Sequence, residues 1–452
     1  MPLPRLIAVI DIGKTNAKVV LIDAETRSQL AARSTPNTVR RDGLYPHMDV
    51  ERLWGFIVES LKALHAEHGV DGVSITTHGA TAALMAGNRL ALPVLDYEHS
   101  GPEETGEAYG AARPDFAESL SPRLPVGLNL GAQIFWQSRV YADRFAEVTD
   151  ILMYPQYWAW RLTGVMANEV TSLGCHTDLW APDASAFSSL VVNEGWADLF
   201  PAVRPAASVL GPITADVAAI TGLRAGTPVT CGIHDSNASL LPHLGQHEAP
   251  FTILSTGTWA IAMTVGGDTG RLDPLRDSLA NVDAFGRPVP TARFMGGREF
   301  DMLAPGAVAP DADDIEAVIA GGIQALPSFV PGVGPFPQSV GRWTVEPETL
   351  SAGQRTAAVS LYLALVTEAC LGLCGLGREI IIEGPLARNT LFAAALGRLT
   401  GAKVSASGDA TGTSLGASML FGGPAGSSSG TVIAPLEHAG FDDYAERWRA
   451  TI

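Results

Sequence analysis

The sequence predicts an α/β protein of two similar units, each a mixed β-sheet flanked by helices. Three observations lead there. A length of 452 residues is enough for two or three domains with sizeable cores. Strand-like apolar runs alternate with amphipathic helical stretches along much of the chain. One order of elements also occurs twice, opening each time on a strand, a glycine turn and a second strand.

The first copy opens on AVIDIGKTNAKVVLID, residues 8–23. Its Gly13-Lys14-Thr15 resembles the end of a Walker A phosphate loop, but that loop needs a glycine five positions earlier, where this chain has Ala8. It also needs a following helix to present amides to phosphate. The β-branched run AKVVLID follows instead, so the stretch reads as a hairpin. SQLAARST reads as a third strand. In the next stretch Val50, Leu53, Trp54, Ile57, Val58, Leu61 and Leu64 share one helical face, with Asp49 as N-cap. GVSITTHG is the next strand, helices are expected around 103–118, 132–147 and 155–162, and GTPVTCGIHDSN is a strand ending in polar residues.

The second copy begins with FTILSTGTWAIAMTV, 251–265, where Ser255 falls on Asp11, Gly257 on Gly13 and Thr258 on Lys14. RPVPTARFM is its third strand, and a long apolar helix, TAAVSLYLALVTEACLGLCGL, follows. Then come the strand EIIIEG, a helix from ARNTLFAAALGRLTG, the strand KVSAS and a helix TSLGASMLFGG. GPAGSSSGT, 423–431, is a loop by composition, and GGREF, 296–300, is either a loop over the site or a plain turn. Two facing hairpins suit a polyphosphate gripped from both sides, which puts the expected site in a cleft between the halves.

Composition narrows the class of function. With 46% apolar and 17% charged residues the chain is a folded globular protein. A net charge of −17 argues against nucleic acid or an anionic membrane as partner. The N-terminal residues lack a secretory pattern and no uninterrupted apolar stretch is long enough to span a bilayer, so a cytoplasmic location is expected. Four cysteines are too few for a disulfide scaffold, and Cys370 and Cys374, one helical turn apart, read as packing residues.

Taken with GIHDSN and EGPLARNTLFAAALGRLTGAKVSAS, the two hairpins resemble those of the FGGY family of carbohydrate kinases. The resemblance covers nearly the whole chain and is nearest the L-rhamnulokinase and L-fuculokinase-like group. It implies two ribonuclease-H-like domains of the actin-like ATPase superfamily, 1–242 and 243–452, around an interdomain cleft. It also implies ATP and Mg²⁺, with Asp11 holding hydrated magnesium and Gly13, Lys14, Thr15 and Asn16 forming the first phosphate turn. Thr256, Gly257 and Thr258 would meet the β- and γ-phosphates, and Gly384, Pro385 and Asn389 the adenosine. His78, Gly79, Tyr97 and His234 would line the sugar pocket. An Asp after an apolar strand is equally a helix N-cap; the resemblance makes Asp235 the general base toward a sugar hydroxyl.

The chain departs from the family pattern in three places. Lys14 stands where relatives usually carry a small hydroxyl residue, and Glu383 where they carry glycine. Asp96, Tyr97 and Glu98 replace a W-x-D-x-R pattern, with no arginine following. Asn168, Glu169, Thr171 and Ser172 are left as either structural or substrate-contacting. The activity implied is phosphorylation of a ketose or 6-deoxyketose of the L-rhamnulose or L-fuculose type. A polyol kinase of the glycerol or erythritol type and a non-kinase actin-like ATPase are the alternatives. The expected partners are the sugar and ATP, with a homodimer allowed.

Overall fold

The computed structural model describes residues 3–407, 412–422 and 430–452, so most of the 423–431 loop lies outside the described residues. The chain divides into two units near Gln246, and the first unit takes back Asn281–Arg287 and the later helix Thr413–Ser418.

In the first unit the opening hairpin pairs Leu6–Ile12 with Asn16–Asp23, in register from Leu6↔Asp23 to Ile12↔Ala17. Ser28–Pro36 joins antiparallel to the second strand, and Gly72–Thr77 joins parallel to the first. Pro228–Thr230 pairs parallel with Gly72–Thr77, and Val209–Pro212 closes that edge. Ala8, Ile10 and Ile12 pack toward Leu53, Ile57, Leu61 and Leu64 of the helix Val50–His68, capped by Asp49. Ile7 and Val9 pack on the opposite face with Ile233, Ala238 and Ala417. Both faces are covered, and for that reason the strand reads LIAVI as a continuous apolar run without alternation.

The second unit repeats the plan. Phe251–Thr256 pairs antiparallel with Ala260–Val265, which pairs with Pro288–Phe294. Glu379–Glu383 lies parallel to Phe251–Thr256, Lys403–Ala406 parallel to it in turn, and Thr431–Ile433 antiparallel beyond. Matching strands therefore lie in the same order in both sheets: Ser28–Pro36, Asn16–Asp23, Leu6–Ile12, Gly72–Thr77 and Pro228–Thr230 in the first, and Pro288–Phe294, Ala260–Val265, Phe251–Thr256, Glu379–Glu383 and Lys403–Ala406 in the second. Ser351 and Gln354 form a capping box at the start of the helix Ala352–Cys374. That helix is apolar and long enough to cross a membrane, but 83% of its apolar window is buried in the core of this unit. Cys370 and Cys374 are buried there as thiols.

Four expected elements differ: the helix over 132–147 divides into Leu130–Val140 and Ala142–Phe145, the strand in GTPVTCGIHDSN divides into Pro228–Thr230 and Ile233–His234, and two others change more. The helix expected over 103–118 is broken into Gly101–Thr105, Gly106–Ala112 and Phe116–Ser119. Pro114 forces Arg113 into an extended conformation, φ −64° and ψ 152°, which ends the helix. GGREF is neither loop nor turn: it opens the helix Gly296–Leu303.

Candidate active site

Each unit presents its functional residues at two strand ends, a hairpin turn and the end of the parallel fourth strand. In the first unit these are 13–16 and the segment after Thr77. The amide of Gly13 donates to the Asn16 carbonyl at 2.9 Å, and a Cβ at Gly13 would lie 3.2 Å from that oxygen. Asn37, which sequence reasoning missed, clamps the turn: its Nδ2 donates to the Gly13 carbonyl at 2.9 Å, and its own amide to the Thr15 carbonyl at 2.8 Å. Thr15 and Asn16 sit exposed at the tip.

Asp11 lies below the turn and is buried. Its Oδ2 accepts from Thr413 Oγ1 at 2.8 Å and Ser414 Oγ at 2.7 Å, and Lys18 Nζ lies 3.2 Å away. Oδ1 takes no hydrogen bond among the described residues, and no cluster of three His, Cys, Asp or Glu suited to a metal occurs among them. Such a site fits magnesium, which binds through one or two carboxylates and keeps water and phosphate oxygens as its other ligands.

His78 follows the fourth strand, and its amide donates to the Ile12 carbonyl at 2.9 Å. Its Nδ1 pairs with the Gly79 carbonyl at 3.0 Å, leaving Nε2 as acceptor, buried and without a partner among the described residues. Burial lowers its pKa, so the ring is neutral. Tyr97 packs edge-on to it at 5.5 Å. A Cβ at Gly79 would lie 2.9 Å from His234 Nε2, so glycine is what lets the two histidine segments meet.

His234 ends the short strand Ile233–His234, and Asp235 opens the helix Asp235–Leu244. Thr171 Oγ1 accepts the His234 amide at 3.0 Å and itself donates to buried Glu169, while Asn168 ties down Met153 and Ile151. These residues are structural supports for the strand end. Asn237 Nδ2 lies 3.3 Å from His234 Nδ1, while Cys175 Sγ lies 3.7 Å and Asp235 Oδ1 3.1 Å from its Nε2. Burial pushes the His234 pKa down to about 4, so this ring too is neutral. Asp235 Oδ1 also accepts the Ser236 amide at 2.6 Å. Burial pushes the Asp235 carboxyl up to about 6, against the opposing influence of His78 and Ser236, while its side chain stays 31% exposed. It is a carboxylate at neutral pH, basic enough to take a proton and open to a substrate.

Lys14, expected on phosphate, points elsewhere. Its ammonium pairs with Asp96, lies 3.4 Å from Glu98, and stands 4.5 Å above the Tyr97 ring.

In the second unit a cavity of about 1020 Å³ is lined by Gly257, Thr258, Gly297, Arg298, Pro385 and Asn389, among others. The two hairpin residues meet the start of the helix Gly296–Leu303 closely: a Cβ at Gly297 would fall 1.8 Å from the Gly257 carbonyl. Arg298 donates its amide to the Thr258 carbonyl at 3.3 Å. Thr256, expected on phosphate, is buried and spends its hydroxyl within the fold, donating to the Glu383 carbonyl and accepting the Leu386 amide at 3.1 Å. Asn389 caps the helix Thr390–Thr400 through the Phe392 amide and donates to Ser360 at 2.8 Å. Leu386, Leu391, Ile433 and Phe300 form an apolar wall.

The profile described as "FGGY family of carbohydrate kinases, N-terminal domain" matches residues 6–242, and "Carbohydrate kinase FGGY, C-terminal domain" matches 248–429. A crystal structure of a carbohydrate kinase from Novosphingobium aromaticivorans is 37% identical, covering 98% of this chain and 100% of that one, with a TM-score of 0.91. L-xylulose/3-keto-L-gulonate kinase of Escherichia coli (strain K12) is 26% identical over 63% of this chain. L-fuculokinase of Salmonella typhi is 25% identical over 62% of it. The chain spans 58% and 61% of the lengths of these two relatives.

Proposed function

Because the chain belongs to the FGGY family of carbohydrate kinases, we propose that it transfers the γ-phosphoryl group of ATP to a hydroxyl of a small, uncharged ketose. A 6-deoxyketose such as L-fuculose or L-rhamnulose is the preferred acceptor, in keeping with the L-fuculokinase among its relatives. The observation that carries the reading is Asp235: a partly exposed carboxylate with its pKa raised to about 6, within electrostatic reach of buried His78, whose Nε2 has no partner among the described residues. A sugar hydroxyl can donate to His78 Nε2 while a second donates to Asp235.

The chemistry follows from those atoms. As the acceptor oxygen bonds to the γ-phosphorus, its proton moves to an Asp235 oxygen, and the bond to the bridging oxygen of ADP breaks. The proton leaves Asp235 to solvent after transfer. Thr15 and Asn16 in the first unit offer donors to phosphate oxygens, as do the Gly297 amide and the exposed Arg298 side chain in the second. The apolar wall of the second-unit cavity suits a nucleobase. Magnesium, which Asp11 would hold, supplies neutralisation of the polyphosphate charge.

Charge selects the acceptor class. Among the described residues, the lysine and arginine partners of Asp11, Asp96, Glu98 and Asp235 are Lys14 and Lys18 alone, and both histidines are neutral. An acceptor bearing its own carboxylate meets a surplus of negative charge. ADP release measured across L-fuculose, L-rhamnulose, L-xylulose, 3-keto-L-gulonate, glycerol and erythritol tests this. Acceptor-dependent release with the neutral ketoses, and at least about tenfold lower kcat/KM with the keto-acid, is expected. ADP release indifferent to every acceptor would leave a plain ATPase.

The pH profile follows from the raised Asp235 value. Protonated Asp235 cannot accept a proton, so kcat/KM for the acceptor should be flat above about pH 6 and fall about tenfold per unit below it. A rate unchanged down to pH 5 removes Asp235 from the role.

A further inference from the structure

We infer that Lys14 is a positioning residue for the acceptor sugar, acting from within the phosphate hairpin on the turn Asp96-Tyr97-Glu98; this rests on the kinase reading above. Three contacts converge on its ammonium, which belongs to a side chain only 17% exposed: the Asp96 carboxylate, Glu98 at 3.4 Å and the face of Tyr97 at 4.5 Å. Asp96 is buried, with a side chain 6% exposed, and a buried carboxylate needs a cation or donors to stay ionised. Its Oδ1 takes the Glu98 amide at 3.2 Å besides Lys14. The turn itself carries no arginine, so Lys14 is the cation that holds it.

The turn in turn holds the sugar side of the site. Tyr97 fixes its backbone by accepting the Gly127 amide at 2.9 Å, and its ring stands edge-on against His78. His78 is the residue with the buried, unpartnered Nε2 and the electrostatic link to Asp235. Lys14 thus connects to the acceptor pocket through Tyr97 and His78. Its ammonium is already matched by two carboxylates and an aromatic face, which leaves little positive charge for a phosphate. A lysine serving phosphate would affect ATP; a lysine serving this turn affects the acceptor.

Lys14→Met, Lys14→Arg and Asp96→Asn, each assayed with MgATP and the best neutral ketose of the panel, separate these roles. Lys14→Met should raise the acceptor KM about tenfold or more while the ATP KM stays within about twofold. Lys14→Arg, which keeps the ion pair, should keep the acceptor KM within about threefold of the parent. Asp96→Asn breaks the pair from the other side and should shift the acceptor KM alone, which covers the case in which Lys14→Met does not fold. A raised ATP KM with an unchanged acceptor KM, or no change in either, overturns the assignment. If the parent protein phosphorylates no acceptor, the kinase reading has failed separately. The Kd for MgATP then decides: unchanged in Lys14→Met it upholds Lys14 as no phosphate ligand, and a tenfold loss refutes it.

Discussion

Asp235→Asn is expected to lower kcat by about 10²–10⁴ while the Kd for MgATP stays within about twofold. The amide is nearly isosteric and keeps an oxygen for the Ser236 amide, so the start of the helix Asp235–Leu244 should stand. What disappears is the basic oxygen beside neutral His234, and with it the acid limb near pH 6. Single-turnover transfer with ATP bound at saturation reads the chemical step directly. Near-parental turnover in this variant would assign the proton to another group, for which the buried His78 Nε2 is the candidate.

Gly384→Ala should be the most damaging small change in the second unit. Gly384 has φ +83° and ψ −161°, a region reserved in practice for glycine, and a Cβ there would lie 2.0 Å from the Thr256 carbonyl. Backbone strain and that clash together should cost about 3 kcal/mol of stability. ATP affinity should fall at least about tenfold, because Thr256 bonds the two segments that frame the cavity through its hydroxyl. Gly401→Ala is the comparison: at φ +66° and ψ 5° it lies in the left-handed helical region with no atom within 4 Å of its Cβ, so it carries only that milder strain, about 1 kcal/mol. Thermal unfolding and nucleotide titration of both variants give the comparison. Equal behaviour of the two would mean that contact with Thr256 is unimportant.

Much of this was legible in the residues. The hairpins could be read because β-branched runs on either side of a glycine turn are local signals, and the overlay of Gly257 on Gly13 agrees with their strand ends at Thr256 and Ile12. The pair Lys18 and Asp11 was available too, since the hairpin register sets them opposite each other, but it was not drawn. Thr413 and Ser414 could not have been found. They reach Asp11 from 402 and 403 positions away, and the stretch around them reads only as a closing helix. GGREF was misread because its two glycines suggest a loop; one of them is there so that the helix start can press against the Gly257 carbonyl.

The sequence by itself determined that two hairpin-led units of one plan exist, which strand ends carry acid, imidazole and hydroxyl groups, and that Asp235 follows a strand. These depend on period, turn chemistry and neighbouring residues, all of which are encoded within a few positions. Only the tertiary structure decided where each side chain's hydrogen bonds and charges are spent. It turned Lys14 to Asp96, consumed the Thr256 hydroxyl inside the fold, and left His78 Nε2 without a partner among the described residues. A side chain's partner is chosen by distance in space, and burial then makes that choice energetically binding, because a buried polar group without a partner is costly.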